Sequence, residues 1–256
     1  MKLYLSTASA LCVTTALFSV PVNADNTPNL CTDDIVGLDR IKPSTASGLV
    51  PPDITVGGET YNGDADHFVI NAGANARRPT DYKPKRIVVY LPGTTDRPEL
   101  SSCLLKSVSE SVPYTTIGLS YAYLSSGDSY RNGKCKALLD DGGTIDDQVN
   151  CLTEQHNDAI YGGNFGATHF KSSSPTTPFW VEVEPENSIN ARLGYLLKYL
   201  DTQNPNQKYS RFYKYTDTDS YPVPIWEKIE VMGHRYVCNS ITSFMKHEFM
   251  FFTTRN

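Results

Sequence analysis

The sequence predicts an α/β fold with a mostly parallel sheet and flanking helices, on three observations. Several short segments are continuously apolar and β-branched, as strands buried on both faces are. Segments with apolar residues at helical spacing lie between them. The chain of 256 residues is long enough to bury a sizeable core.

The elements follow in order along residues 67–234. His67-Phe68-Val69-Ile70-Asn71 is the first strand, followed by a polar turn through Arg77, Arg78 and Pro79. Arg86-Ile87-Val88-Val89-Tyr90-Leu91 is the clearest one, because its apolar run has no polar alternation, and Pro92-Gly93 stops it. A helix starts at Asp96-Arg97-Pro98-Glu99, with an acidic cap and an early proline, and carries Leu100, Leu104, Leu105 and Val108 as its apolar stripe. Thr115–Tyr121 reads as another buried strand. A long excursion over residues 122–185 contains a helix from Ile145 to Tyr161, with Val149, Leu152, His156 and Ile160 on one face and Gly162-Gly163 as its stop. Asn187 or Ser188 caps the best helix, where Ile189, Leu193, Leu196, Leu197 and Leu200 repeat at helical spacing and Asn204-Pro205 ends the segment. A tyrosine-rich stretch, Tyr209 to Tyr221, leads to a last strand, Ile229–Met232, which ends at Gly233-His234.

Residues 1–24 read as a secretory signal peptide. Lys2 supplies the positive end, the stretch to Val20 is apolar and small, and Ala24 offers a small residue before the cut. Residues 25–66, rich in Thr, Pro, Gly and Asp, read as an irregular lead-in. No later run reaches the about 18 apolar residues that span a bilayer. The formal charge of -5 argues against nucleic-acid and anionic-membrane partners, which require basic surface.

A secreted chain permits disulfides. Cys12 leaves with the signal peptide, and Cys31, Cys103, Cys135, Cys151 and Cys238 remain. Cys135 and Cys151 flank a Gly- and Asp-rich stretch and are the first choice for a pair; Cys31 with Cys103 is the second, by elimination. The spacings do not match a zinc site, so neither a metal nor a cofactor is implied.

The strand Ile87–Leu91 with the loop Gly93-Thr94-Thr95, the helix over 188–200, and the strand Ile229–Met232 running into Gly233-His234 together resemble the α/β-hydrolase family. The resemblance covers about residues 67–234 and implies an ester or acyl hydrolase of the esterase and lipase class, acting on a small-molecule substrate. It implies that backbone donors near Gly93, Thr94 and Thr95 form the oxyanion hole, and that Gly233-His234 approaches the nucleophile elbow. The family's elbow reads Gly-x-Ser-x-Gly. Here it reads Gly233-His234-Arg235-Tyr236-Val237, with Arg235 at the nucleophile position. A guanidinium stays protonated and delocalised, so it cannot attack an acyl carbon. The family's acid and histidine follow the nucleophile in chain order, whereas 21 residues follow Arg235 here. The expectation is therefore an incomplete α/β-hydrolase fold, inactive as given. The alternative is a secreted binding or structural protein without catalysis.

Residues 235–256 form an atypical tail. They hold two of the four Met and four of the ten Phe, and carry Cys238. Arg-Tyr-Val can be encoded AGG-TAT-GTN, which contains the form of a common splice donor. The tail is accordingly expected to derive from an unspliced intron or a misplaced frame; the alternative is a genuine divergent C-terminus.

Other groups read as structural. Ser120, in Gly118-Leu119-Ser120-Tyr121-Ala122, ends a core strand without a following helix signature. Glu154 and Asp158, four apart on a helix, read as a solvated face. The Asp140 to Asp147 stretch lacks the ligand spacing of a calcium loop.

Overall fold

A computed structural model of the chain describes residues 35, 37–56, 59–71, 83–92, 98–111, 113–121, 142–163 and 183–233. The signal-peptide segment, the tail 235–256 and most of the excursion lie outside the described residues.

Five strands build the main sheet: β1 (Leu38–Ile41), β4 (His67–Ile70), β5 (Ile87–Leu91), β6 (Thr115–Gly118) and β9 (Ile229–Gly233), in the order β1-β4-β6-β5-β9. Two small hairpins stand apart from it, β2 (Ile54–Val56) with β3 (Glu59–Tyr61) and β7 (Tyr213–Lys214) with β8 (Val223–Pro224). The helices are α1 (Pro43–Ser47), α2 (Ser102–Ser111), α3 (Ile145–Tyr161) and α4 (Ile189–Gln203).

The α/β class is as the sequence predicts, but the sheet is mixed rather than mostly parallel. β5 pairs in parallel with β6 and β9, whereas β4 pairs antiparallel with both β1 and β6. The physical reason lies in the connections. Parallel neighbours need a long crossover, usually a helix. α2 lies between β5 and β6, and α3 and α4 lie between β6 and β9. β4, the one strand of this sheet that runs against its neighbours, belongs to the part of the chain before those helices. The lead-in is also less irregular than expected, since it supplies the outer strand β1, α1 and the β2–β3 hairpin.

Both faces of the sheet are covered. On one, Val69, Ile87, Val89, Leu91 and Ile117 pack with Leu193, Leu196, Leu197 and Leu200 of α4 and Ile160 of α3. On the other, Phe68, Ile70 and Tyr90 pack with Leu105 of α2, and Met232 packs against them. This two-sided burial explains why β5 shows no polar alternation.

The helix ends follow capping chemistry. The Ser188 side chain accepts a hydrogen bond from Ala191 N at 3.1 Å and starts α4. Thr144 and Asp147 form a reciprocal capping box at the start of α3: Thr144 Oγ1 accepts from Asp147 N, and Asp147 Oδ2 accepts from Thr144 N. The Thr144 N–H first, then the Thr144 hydroxyl at 2.8 Å, donate to the Asp147 carboxylate and hold it below its ordinary pKa. Gly162, at φ 71, ends the helix where the sequence places its stop.

The stripe expected on α2 is only partly right. Leu105 is fully buried, but Leu100 and Leu104 are 40% and 43% exposed, and Ser102 and Ser109 share the inner face instead. Val149, expected on the inner face of α3, is exposed, and Ile160 is buried. The side chains of Leu152 and His156 lie outside the described ones.

Candidate functional site

The site is built at the carboxyl ends of β5 and β9. Their register runs Ile87↔Ile229, Val88↔Glu230, Val89↔Val231, Tyr90↔Met232 and Leu91↔Gly233. Both strands therefore end on the same level, with about 4.8 Å between neighbouring backbones. After β5 the chain passes through α2 to β6, on one side of β5; after β6 it passes through α3 and α4 to β9, on the other side. The strand order reverses at this point. In open α/β sheets the crevice at such a reversal, outside the carboxyl ends of the strands, is where ligands bind.

Hydrogen bonds fix the start of the loop after β5. Tyr121 donates its hydroxyl to the Pro92 carbonyl at 2.7 Å, and Leu119 N donates to Tyr90 O at 3.0 Å. Pro92 is buried. The last described residue before the candidate oxyanion loop is thus held against the end of β6.

Gly233 is the final residue of β9, half-buried, opposite Leu91. Gly93, Thr94 and Thr95, and likewise His234 and Arg235, lie outside the described residues. The structure brings together the strand ends from which both segments leave. Cys103 lies half-buried on α2. Cys31 and Cys135 are outside the described residues, and Cys151 is described only as backbone in α3.

Ser120 is buried as expected, but the strand expected to reach Tyr121 ends at Gly118, two residues before Ser120. The Ser120 N–H donates to His67 Nδ1 at 3.0 Å and its carbonyl accepts from Arg192 at 3.4 Å. Asp158 departs from expectation. It is buried rather than solvated, and its Oδ2 accepts from Val183 N at 3.1 Å, which ties the end of the excursion to α3.

A polar cluster that the sequence reading missed lies at the same end of the sheet. β4 runs against β6, so His67 at its start stands beside the carboxyl end of β6. The first turn of α4 comes to the same place and brings Arg192, which is also buried. The guanidinium donates to the carbonyls of Asn187 (3.1 Å), Ser120 (3.4 Å) and Gly63 (2.9 Å). Burial pulls its pKa down to about 10, against the attraction of Asp64, so it stays charged at neutral pH. Asp64 is in turn held by the backbone N–H and hydroxyl of Ser44, at 2.8 and 2.7 Å. His67 is 0% exposed, and burial first, then the Arg192 charge, lowers its pKa to about 3. One signal for this cluster was present in the sequence: Arg192 falls at helical spacing on the apolar stripe of Ile189, Leu193 and Leu196.

Among the described residues, no group of three His, Cys, Asp or Glu side chains could hold a metal ion, and no helix is long and apolar enough to cross a membrane. No protein-family model matches the chain, and neither a curated protein nor a solved structure matches it.

Proposed function

We propose that this is a secreted α/β-hydrolase-like protein, of the ester- and acyl-hydrolase class by resemblance, that performs no serine-dependent hydrolysis in this form. The observation that carries the reading is the parallel pairing of β5 with β9, with Leu91 opposite Gly233. It supports a crevice at the carboxyl ends of these two adjacent strands, from which the chain continues to Gly93 and to His234. In a hydrolase of this type, donors from the first loop stabilise the oxyanion while a serine on the second attacks the carbonyl. Arg235 at that place leaves the cradle without a nucleophile. No residue at the site is assigned a catalytic role.

Secretion rests on the signal-peptide reading of residues 1–24, and an oxidising compartment goes with it. The pairing of Cys31 with Cys103, and that of Cys135 with Cys151, belong to the same proposal.

A second reading, a secreted binding protein without catalysis, is favoured by the core. Among the described residues, α2 packs on one face of the sheet and α3 and α4 on the other. A monomeric product that melts cooperatively supports it.

The test of the first reading is an esterase assay with short-chain aryl esters on the purified 256-residue product. The expected result is turnover no faster than buffer. Turnover that survives Ser120→Ala would show a working nucleophile elsewhere and overturn the proposal.

A further inference from the structure

A narrow cavity of about 10 Å³ lies beside the His67–Arg192 cluster, between α1 and the entry to α4. Pro43, Ser47, Pro51, Glu186, Asn187 and Tyr195 complete its wall. A space of this size accommodates about one water molecule.

The polar groups define what it takes. His67 Nδ1 accepts the Ser120 N–H at 3.0 Å, so Nδ1 carries no proton and, in the neutral ring, the proton is on Nε2. His67 is 0% exposed, and its Nε2 meets no hydrogen-bond partner among the described residues. The ring lines the cavity. An arginine has five N–H groups. The three hydrogen bonds that Arg192 makes to carbonyls leave two further donors on a guanidinium that also lines the cavity. A buried donor left unmet costs about 1–3 kcal/mol. The two buried side chains therefore present donors and call for an oxygen lone pair or an anion.

Charge decides between those. The Arg192 charge already feels the nearby Asp64 carboxylate, and Glu186 stands on the cavity wall. A halide would sit beside that second carboxylate, which repels it. A water oxygen accepts from the imidazole and the guanidinium, and its own hydrogens find acceptors in Glu186 or the Tyr195 hydroxyl. We infer that this cavity is a binding site for a single structural water, which accepts from His67 Nε2–H and Arg192 and joins the α1 segment to the start of α4.

The inference is independent of hydrolase chemistry and stands or falls without it. Its test is a high-resolution crystal structure of the protein, with a second crystal grown in bromide in place of chloride. The expected result is one solvent peak about 2.7–3.2 Å from His67 Nε2, without anomalous signal in the bromide crystal. An anomalous peak would make the site a halide site, and featureless density would show a dry cavity; either overturns the inference. Oxygen-17 relaxation dispersion in solution gives an independent readout. One long-lived water is expected to be lost in His67→Phe, and an unchanged count in a folded variant contradicts the assignment.

Discussion

Lowering the pH from 7 to 5 should cost this fold stability through one residue, His67. Its folded pKa of about 3 lies below the ordinary 6.5, because burial and the Arg192 charge both disfavour the imidazolium. Between those values the unfolded chain binds a proton that the folded chain refuses. The stabilisation is therefore complete above about pH 6.5 and is lost as the pH falls toward 3. One pKa unit corresponds to about 1.4 kcal/mol, so the loss at pH 5 is about 2 kcal/mol. The loss does not depend on the hydrogen-bond geometry alone. Among the described residues, Arg192 acts on the ring, with Asp64 behind it, and Glu186 and Tyr195 line the same cavity. The assay is urea unfolding at pH 7 and pH 5, on the wild-type chain and on His67→Gln. The wild type should lose about 2 kcal/mol more than the variant over that interval. Equal losses would refute the reasoning. So would an NMR titration in which the His67 ring of the native protein protonates near pH 6.5, and that measurement needs no variant.

Two further predictions concern packing and the tail. A Cβ added at Gly194 would lie 1.6 Å from the Pro222 carbonyl oxygen, so α4 cannot keep its seat against the β7–β8 segment with any larger residue there. Gly194→Ala should destabilise the protein by about 3 kcal/mol, read from the denaturation midpoint, since rigid backbone is the obstacle. A neutral effect would mean that α4 and Pro222 are not in contact. For the tail, the transcript across codon 235 should be a spliced message lacking residues 235–256; an abundant message that carries them contradicts the intron origin.

The sequence made the central elements legible where local chemistry and burial agree. The run Ile87 to Leu91 has to be a doubly covered strand, and it is one. The α4 stripe of Ile189, Leu193, Leu196, Leu197 and Leu200 is wholly buried, and Ser188 caps it. What failed depends on tertiary context. β1 escaped notice because Asp39 and Arg40 interrupt its apolar residues; it is an outer strand, and those two side chains face solvent. The orientation of β4 was invisible because no local signal separates a parallel from an antiparallel neighbour. On α2, serines rather than leucines share the inner face with Leu105, since Ser102 and Ser109 are buried and Leu104 is not. The His67–Arg192–Ser120 cluster joins residues far apart in the chain, which only the folded topology brings together. The candidate crevice was legible as two strand endings, and their adjacency came from the sheet order.

That adjacency is the central claim, and cross-strand nuclear Overhauser effects on isotopically labelled protein test it most directly. The account predicts backbone contacts between Val89 and Val231 and between Tyr90 and Met232, in the pattern of a parallel pair. Contacts from the 229–233 strand to β1 or β4 instead, or an antiparallel pattern with β5, would separate the two strand ends and contradict it.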